Sequence, residues 1–372
     1  MGDHWGKSIP ELSFEAAKGI IKDVTEQRPS AVIVSNAYSV LTSSQGNLGP
    51  LISDALGLEG VDTFSVEASG ASGAAAVHAG VNLISSGEID SALIIGVEKM
   101  RDLDPARLVL AQGLSENAEY SQFFGISFAA LNALLARLYM SEFGISREKL
   151  SAFPVIAHKN SSTAEHAQFR RKFTVEEVSR SELIADPLRV LDCAPVGDGA
   201  AALLLVGEDS IAKLKHVIEI KASEASSSRA SFFDRNHMLR FSATETAAKN
   251  ALKRASLALE DMDFFELHDA YSIAAALVIE ALGLSKHGEA CIDASNGKFD
   301  LGGRHPISTF GGMKARGYPV GAAGIYQFCE TFLQLTGRAG QNQVGGAENA
   351  LIHSMSGIDA TGYVHLLSSK KL

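Results

Sequence analysis

Val66–Ala76 reads VEASGASGAAA, a strand-like approach followed by small residues that open a helix. The first turn of a helix carries unpaired N–H groups at the positive end of its dipole, so it can seat an anion, a developing oxyanion or an activated nucleophile. This stretch contains no cysteine and no histidine. Any chemistry there must come from residues brought to it from elsewhere in the chain.

Moving outward, the chain matches itself. EAAKGIIKDV, SAVIVSNAYSV and ISDALGL, between Glu15 and Leu58, recur as ETAAKNALKRA, MDFFELHDAYSI and VIEALGL, between Glu245 and Leu284. GASGAAAVHAG with the strand SALIIGVEKM lines up with YPVGAAGIYQF and the later strand NALIHSMSGI. That register sets Gly70 opposite Tyr318, Ser72 opposite Val320, Gly73 opposite Gly321 and Ile95 opposite His353. Strands alternating with helices in each copy predict a mixed, largely parallel sheet covered on both faces. Two helix starts, one per copy, could meet at one site. Close helix packing is the other use that their glycines and alanines could serve.

At 372 residues the chain exceeds one ordinary core. Residues 1–100 are the expected first part of the N-terminal half, 101–190 an inserted helical and loop domain, 191–225 the end of that half, and 226–372 the C-terminal half. Apolar residues at 46% and charged residues at 20% fit a well-packed α/β protein. A formal charge of −10 argues against a nucleic-acid partner, which needs clustered cations. The one dense basic run, Arg170, Arg171 and Lys172, reads as a solvated loop, with a CoA phosphate site as its alternative. Cys193, Cys291 and Cys329 show no paired spacing, so neither a disulfide framework nor a metal site is expected. No apolar run reaches the roughly 18 residues of a membrane span, and the start lacks a signal-peptide layout, so a cytoplasmic protein is expected.

Five stretches carry a family likeness: VEASGASGAAA, SALIIGVEKM, DPLRVLDCAPVGDGAAALLL, HDAYS and GGMKARGYPVGAAGIYQ. With the internal duplication, they make the chain resemble the thiolase superfamily, most closely its sterol-carrier-protein-type and archaeal branch. The resemblance implies a thiolase fold: two βαβαβαββ halves in a five-layered α/β/α/β/α core with an inserted loop domain. It also implies a homodimer or larger assembly, with a CoA thioester as substrate and no covalently bound cofactor or metal.

A thiolase attacks its thioester with a cysteine thiolate activated by a histidine. Fixing the family's C-x-S-G motif on Ser72 and Gly73 puts Gly70 where the cysteine belongs. The family's G-H-P reads Gly317-Tyr318-Pro319, and its H-D-C-F reads His268-Asp269-Ala270-Tyr271. The residues expected to act are therefore Tyr318, His268 and Tyr271, with His353 at a strand end that could reach the same cleft. Gly70, Ser72, Gly73, Gly311 and Gly312 are implied to line the CoA thioester. Ser69 is a poor substitute nucleophile, because one residue's shift at a helix start rotates a side chain by about 100°.

Three activities fit this altered motif set. The lead is acid/base chemistry that makes or breaks a C–C bond, as in aldol or retro-aldol reaction of a β-hydroxyacyl-CoA. The motif set also resembles the thiolase-fold aldolases of steroid side-chain degradation, which work with a small OB-fold and zinc-ribbon partner. Acetyl-CoA acetyltransferase-like acyl transfer without an acyl-enzyme is the second. A non-catalytic CoA-binding subunit is the third.

Overall fold

The computed structural model describes residues 1–23, 28–121 and 123–370. Its first sheet has the order β2-β1-β3-β4, formed by β1 (Ala31–Ser35), β2 (Asp62–Val66), β3 (Ser91–Glu98) and β4 (Gly199–Val206). Strand β1 runs parallel to β2 and β3, while β4 closes the edge antiparallel to β3. The second sheet has the order β5-β8-β7-β6, formed by β5 (Ile218–Ser227), β6 (Phe264–Glu266), β7 (Asn349–Ser356) and β8 (Thr361–Ser369). Here β6 and β7 are parallel and β8 is antiparallel to both neighbours. The counterpart of β2 in this half is reduced to a single parallel bridge between Phe265 and Ile307.

Alternation along the strands assigns the layers. Ala31, Ile33, Ala92 and Ile94 face inward and share a cluster with Ala350, Ile352 and Leu367 of the second sheet. Val32, Val34, Leu93, Ile95 and Val97 face outward onto helix α1 (Ile9–Asp23) and helix α2 (Leu48–Ala55). Such doubly buried strands read as continuous apolar runs, as AVIVS and ALIIGV do. Between the sheets lie helix α3 (Ser72–Ser85), which follows the opening stretch, and its partner from the other half (Ala323–Leu335). Helix Ser242–Ala255 covers the far face of the second sheet. The result is five layers, as expected.

The inserted segment holds helix α4 (Phe128–Phe143), capped by the Ser127 hydroxyl and ended by a left-handed Gly144, together with helix α5 (Ala152–Ser161). Both ends follow ordinary capping chemistry. The join between halves differs from expectation: Ile218–Ser227, put before the boundary at residue 226, is the edge strand of the second sheet. Among the described residues no helix is long and apolar enough to cross a membrane.

One register shifts. The turn before α3 spans Ser69–Ala71, and its counterpart in the second half spans Val320–Ala322. Gly70 therefore corresponds to Gly321, and Gly73 to Gly324, three residues on from the pairing read in the sequence. Strands β3 and β7 keep Ile95 opposite His353. Small-residue runs such as GASGAAA and GAAG align almost equally well at several offsets, so only the packing could choose.

Candidate active site

Gly70 is buried in its turn, and its surroundings explain the missing side chain. A Cβ built there would lie 2.5 Å from the Tyr318 hydroxyl, 2.7 Å from His268 Cε1 and 2.9 Å from the Met355 carbonyl oxygen. The place of a nucleophile is thus occupied by a phenol. Tyr318 reaches it from the turn Gly317–Pro319, and its backbone bridges to Val196.

His268 extends from the end of β6 and is 4% exposed. The Met355 N–H donates to its Nδ1 at 3.4 Å, and its Nε2 faces the Tyr318 Oη at 3.5 Å. These partners place the ring proton on Nε2, with the Tyr318 oxygen accepting and the phenol proton free to face a ligand. The two rings meet edge-on with centroids 5.6 Å apart. Burial holds His268 down at about 4, with Lys314 and Arg316 adding to the effect against Asp269. Burial pushes Tyr318 well above its usual 10, reinforced by Tyr38, Tyr271 and Glu98. At neutral pH the pair is a neutral imidazole and a neutral phenol.

Tyr271 stands at the start of helix Ser272–Ala281, packs edge-on against Phe128 at 5.7 Å and is likewise pushed up by burial, then by Cys193 and Tyr38. Tyr38 is its repeat equivalent in the first half. Its hydroxyl lies 3.0 Å from Ser115 Oγ and 3.4 Å from Ser69 Oγ. The three tyrosines sit within electrostatic reach of one another beside Gly70. Ser115 is a residue the sequence reading missed, since nothing marks a lone serine in the inserted segment. Glu98 was also missed, although it ends the quoted strand. It is fully buried, pushed up to about 7 by burial, and accepts N–H donors from Ala37 at 2.8 Å, Tyr38 at 3.1 Å and Gly321 at 2.8 Å. It ties the tyrosine loop of one half to the helix start of the other.

Other expected site residues are placed elsewhere. The His353 ring bonds to Thr244 Oγ1 at 2.9 Å on the outer helix, instead of joining Tyr318. Ser72 is locked inside its own turn, donating to the Ser69 carbonyl at 2.7 Å and accepting from the Ala68 N–H at 2.9 Å. Gly73 meets the second half's central helix, where an added Cβ would come within 2.8 Å of Gly324 Cα, so this glycine serves close packing. Gly311 lies against α5 and Gly312 against the Asp269 carboxylate. Ser69 Oγ is 2.5 Å from Ser115 Oγ and 3.4 Å from the Tyr38 hydroxyl, and its backbone N–H donates to Glu67 Oε1 at 2.6 Å. Burial pushes Cys193, Cys291 and Cys329 each up to about 12, so all three stay thiols at neutral pH. The basic run is exposed, and Arg171 pairs with Glu177 at 2.7 Å. Among the described residues, no group of three or more His, Cys, Asp or Glu is arranged to hold a metal ion.

Comparison with known proteins accounts for the whole frame. The thiolase N-terminal domain family matches residues 1–209, and the thiolase C-terminal domain-like family matches residues 224–369. The chain belongs to the thiolase family. An "acetyl-CoA acetyltransferase" of Methanothermobacter thermautotrophicus is 38% identical over 99% of this chain and 96% of its own. A chicken "sterol carrier protein 2" is 31% identical over 93% of this chain and 65% of its own. Among solved structures, the "Ltp2-ChsH2(DUF35) aldolase" superposes with a TM-score of 0.85 at 22% identity, covering 98% of this chain and 94% of that one. Human mitochondrial 3-ketoacyl-CoA thiolase superposes at 0.76 and 19% identity, covering 98% and 94%. At those identities the two structures speak for the fold. The protein is a thiolase-fold enzyme.

Proposed function

We propose that this thiolase-family enzyme makes or breaks a C–C bond in a CoA thioester by acid/base chemistry, without a cysteine acyl-enzyme. Aldol and retro-aldol reaction of a β-hydroxyacyl-CoA is the reading the site supports best. The observation that carries it is the Tyr318 hydroxyl lying 2.5 Å from where a Cβ at Gly70 would be, with His268 beside it.

In C–C bond formation, an enolate carbon of the acyl-CoA attacks the carbonyl carbon of an aldehyde or ketone. The electron pair of that C=O moves to oxygen, which takes the Tyr318 proton and becomes the β-hydroxyl. In cleavage the same group runs in reverse. Tyr318 as phenolate takes the hydroxyl proton, the Cα–Cβ bond breaks, and its electron pair remains as the thioester enolate until Cα is protonated. The His268 Nε2–H faces the Tyr318 oxygen and stabilises the phenolate when it forms. Tyr38 and Tyr271 supply further hydroxyls around the reacting oxygens.

The pH dependence has a definite sign. Tyr318 is protonated in the free enzyme and His268 is neutral above about 4. Cleavage needs the rare phenolate, so log kcat/KM for cleavage rises with pH across neutrality with a slope of about 1. Addition starting from the acyl-CoA carries the same slope, because the overall reaction exchanges no net proton and the phenolate must first take the Cα proton to form the enolate. Aldehyde or ketone release from β-hydroxyacyl-CoA esters, followed with and without a candidate partner, reads this directly. A cleavage rate independent of pH would refute the phenolate step.

The relatives' printed names favour acyl transfer as a second reading. It lacks a thiolate in this chain, which is why it ranks second. A partner resembling the DUF35 protein in the solved aldolase complex, and a homodimer as in the family at large, complete the proposal.

A further inference from the structure

The five residues Gly312–Arg316 form a π-helical turn, a rare geometry that often accompanies function. Lys314 sits in its middle, 2% exposed. Its ammonium donates to the backbone oxygen of Asp269 and lies 3.3 Å from Asp269 Oδ2. The same carboxylate accepts the Met313 N–H at 2.7 Å and the Ser308 hydroxyl at 3.3 Å. Asp269 follows His268 directly, and Tyr318 follows Lys314 by four residues. One short turn therefore grips the chain just after the imidazole at one end and delivers the phenol at the other.

We infer that Lys314 is a positioning residue for the reaction proposed above: its buried ammonium clips Asp269, through its backbone oxygen and its carboxylate, to the turn that carries Tyr318, and so holds the adjoining His268 imidazole and the phenol in register. A buried ammonium is costly unless it is well partnered, and an apolar side chain would fill the space at less cost. A lysine at this buried spot matches a role in the site. The groups within electrostatic or hydrogen-bonding reach of His268 are Asp269 from its own segment, Lys314 and Arg316 from the π-helical turn, the Tyr318 hydroxyl, and, at longer range, His353 from β7. Asp269 favours the imidazolium; Lys314 and Arg316 oppose it. The clip thus also keeps the ring neutral.

The experiment titrates His268 by imidazole NMR in the full chain and measures kcat and KM in parallel. Lys314→Gln keeps a donor for the Asp269 oxygen and removes the charge; Lys314→Arg keeps the charge and changes the reach. In Lys314→Gln the His268 midpoint is expected to rise by about 1 unit, with kcat down about tenfold or more and KM little changed. In Lys314→Arg the midpoint stays within about 0.3 unit while kcat falls, as the geometry alone is disturbed. An unshifted His268 in folded Lys314→Gln overturns the inference. If that variant does not fold, a shifted midpoint or an unchanged kcat in Lys314→Arg overturns it. A chain inert towards every β-hydroxyacyl-CoA while His268 still shifts would defeat the aldol reading and leave the clip standing.

Discussion

Tyr318→Phe is expected to lower kcat for cleavage of a β-hydroxyacyl-CoA about 10³-fold while KM changes less than about threefold. The substitution removes one oxygen and leaves the ring in place against His268. Binding contacts made by the ring survive, whereas the group assigned to exchange a proton with the substrate oxygen is gone. Thermal unfolding of the variant should stay close to the parent, because among the described residues the Tyr318 hydroxyl makes only the long 3.5 Å hydrogen-bond contact. A variant that retains more than about a tenth of the parental kcat would take Tyr318 out of the chemistry.

Gly70→Cys is expected to abolish cleavage without restoring thiolysis. The added Cβ falls on the Tyr318 hydroxyl, on His268 and on a backbone oxygen, of which the last cannot rotate aside. Overpacking of that kind costs about 1–3 kcal/mol, and displacing the phenol by about 1 Å is enough to lose on the order of 10²-fold in rate. The new thiol would gain nothing in return. Burial pushes the chain's existing cysteines up to about 12, and His268, held at about 4, is too weak a base to take a thiol proton. Recovery of acyl exchange in Gly70→Cys would show that the parental site differs from a thiolase only by one lost side chain.

Most of the frame was legible in the chain itself. The duplication exposed two halves, and the apolar runs AVIVS and ALIIGV announced strands buried on both faces. Tyr318 and His268 were found because each fills a motif position with an altered or retained neighbour. The rest depended on three-dimensional register. Runs of glycine and alanine fit at several offsets, so Gly73 was matched to Gly321 where the helices actually cross at Gly324. His353 shares its strand with residues of the site, yet its side chain points to the outer helix and Thr244. Neighbouring residues on a strand point to opposite faces, and which face meets the site is invisible without a sheet to define it. Ser115 carries no motif of its own, and Lys314, although inside the quoted GGMKARGYPV stretch, has nothing in its spacing to show that it meets Asp269; the fold brings them to the tyrosines and to Asp269 beside His268.

The central claim is that catalysis here proceeds without an acyl group on the protein. Intact-mass spectrometry of the purified chain after exposure to acyl-CoA thioesters, with acid quenching during turnover, tests it most directly. The account predicts the unmodified mass at every time point. A stable acyl increment that maps to any cysteine or serine of the chain would contradict it and return the enzyme to covalent thiolase chemistry.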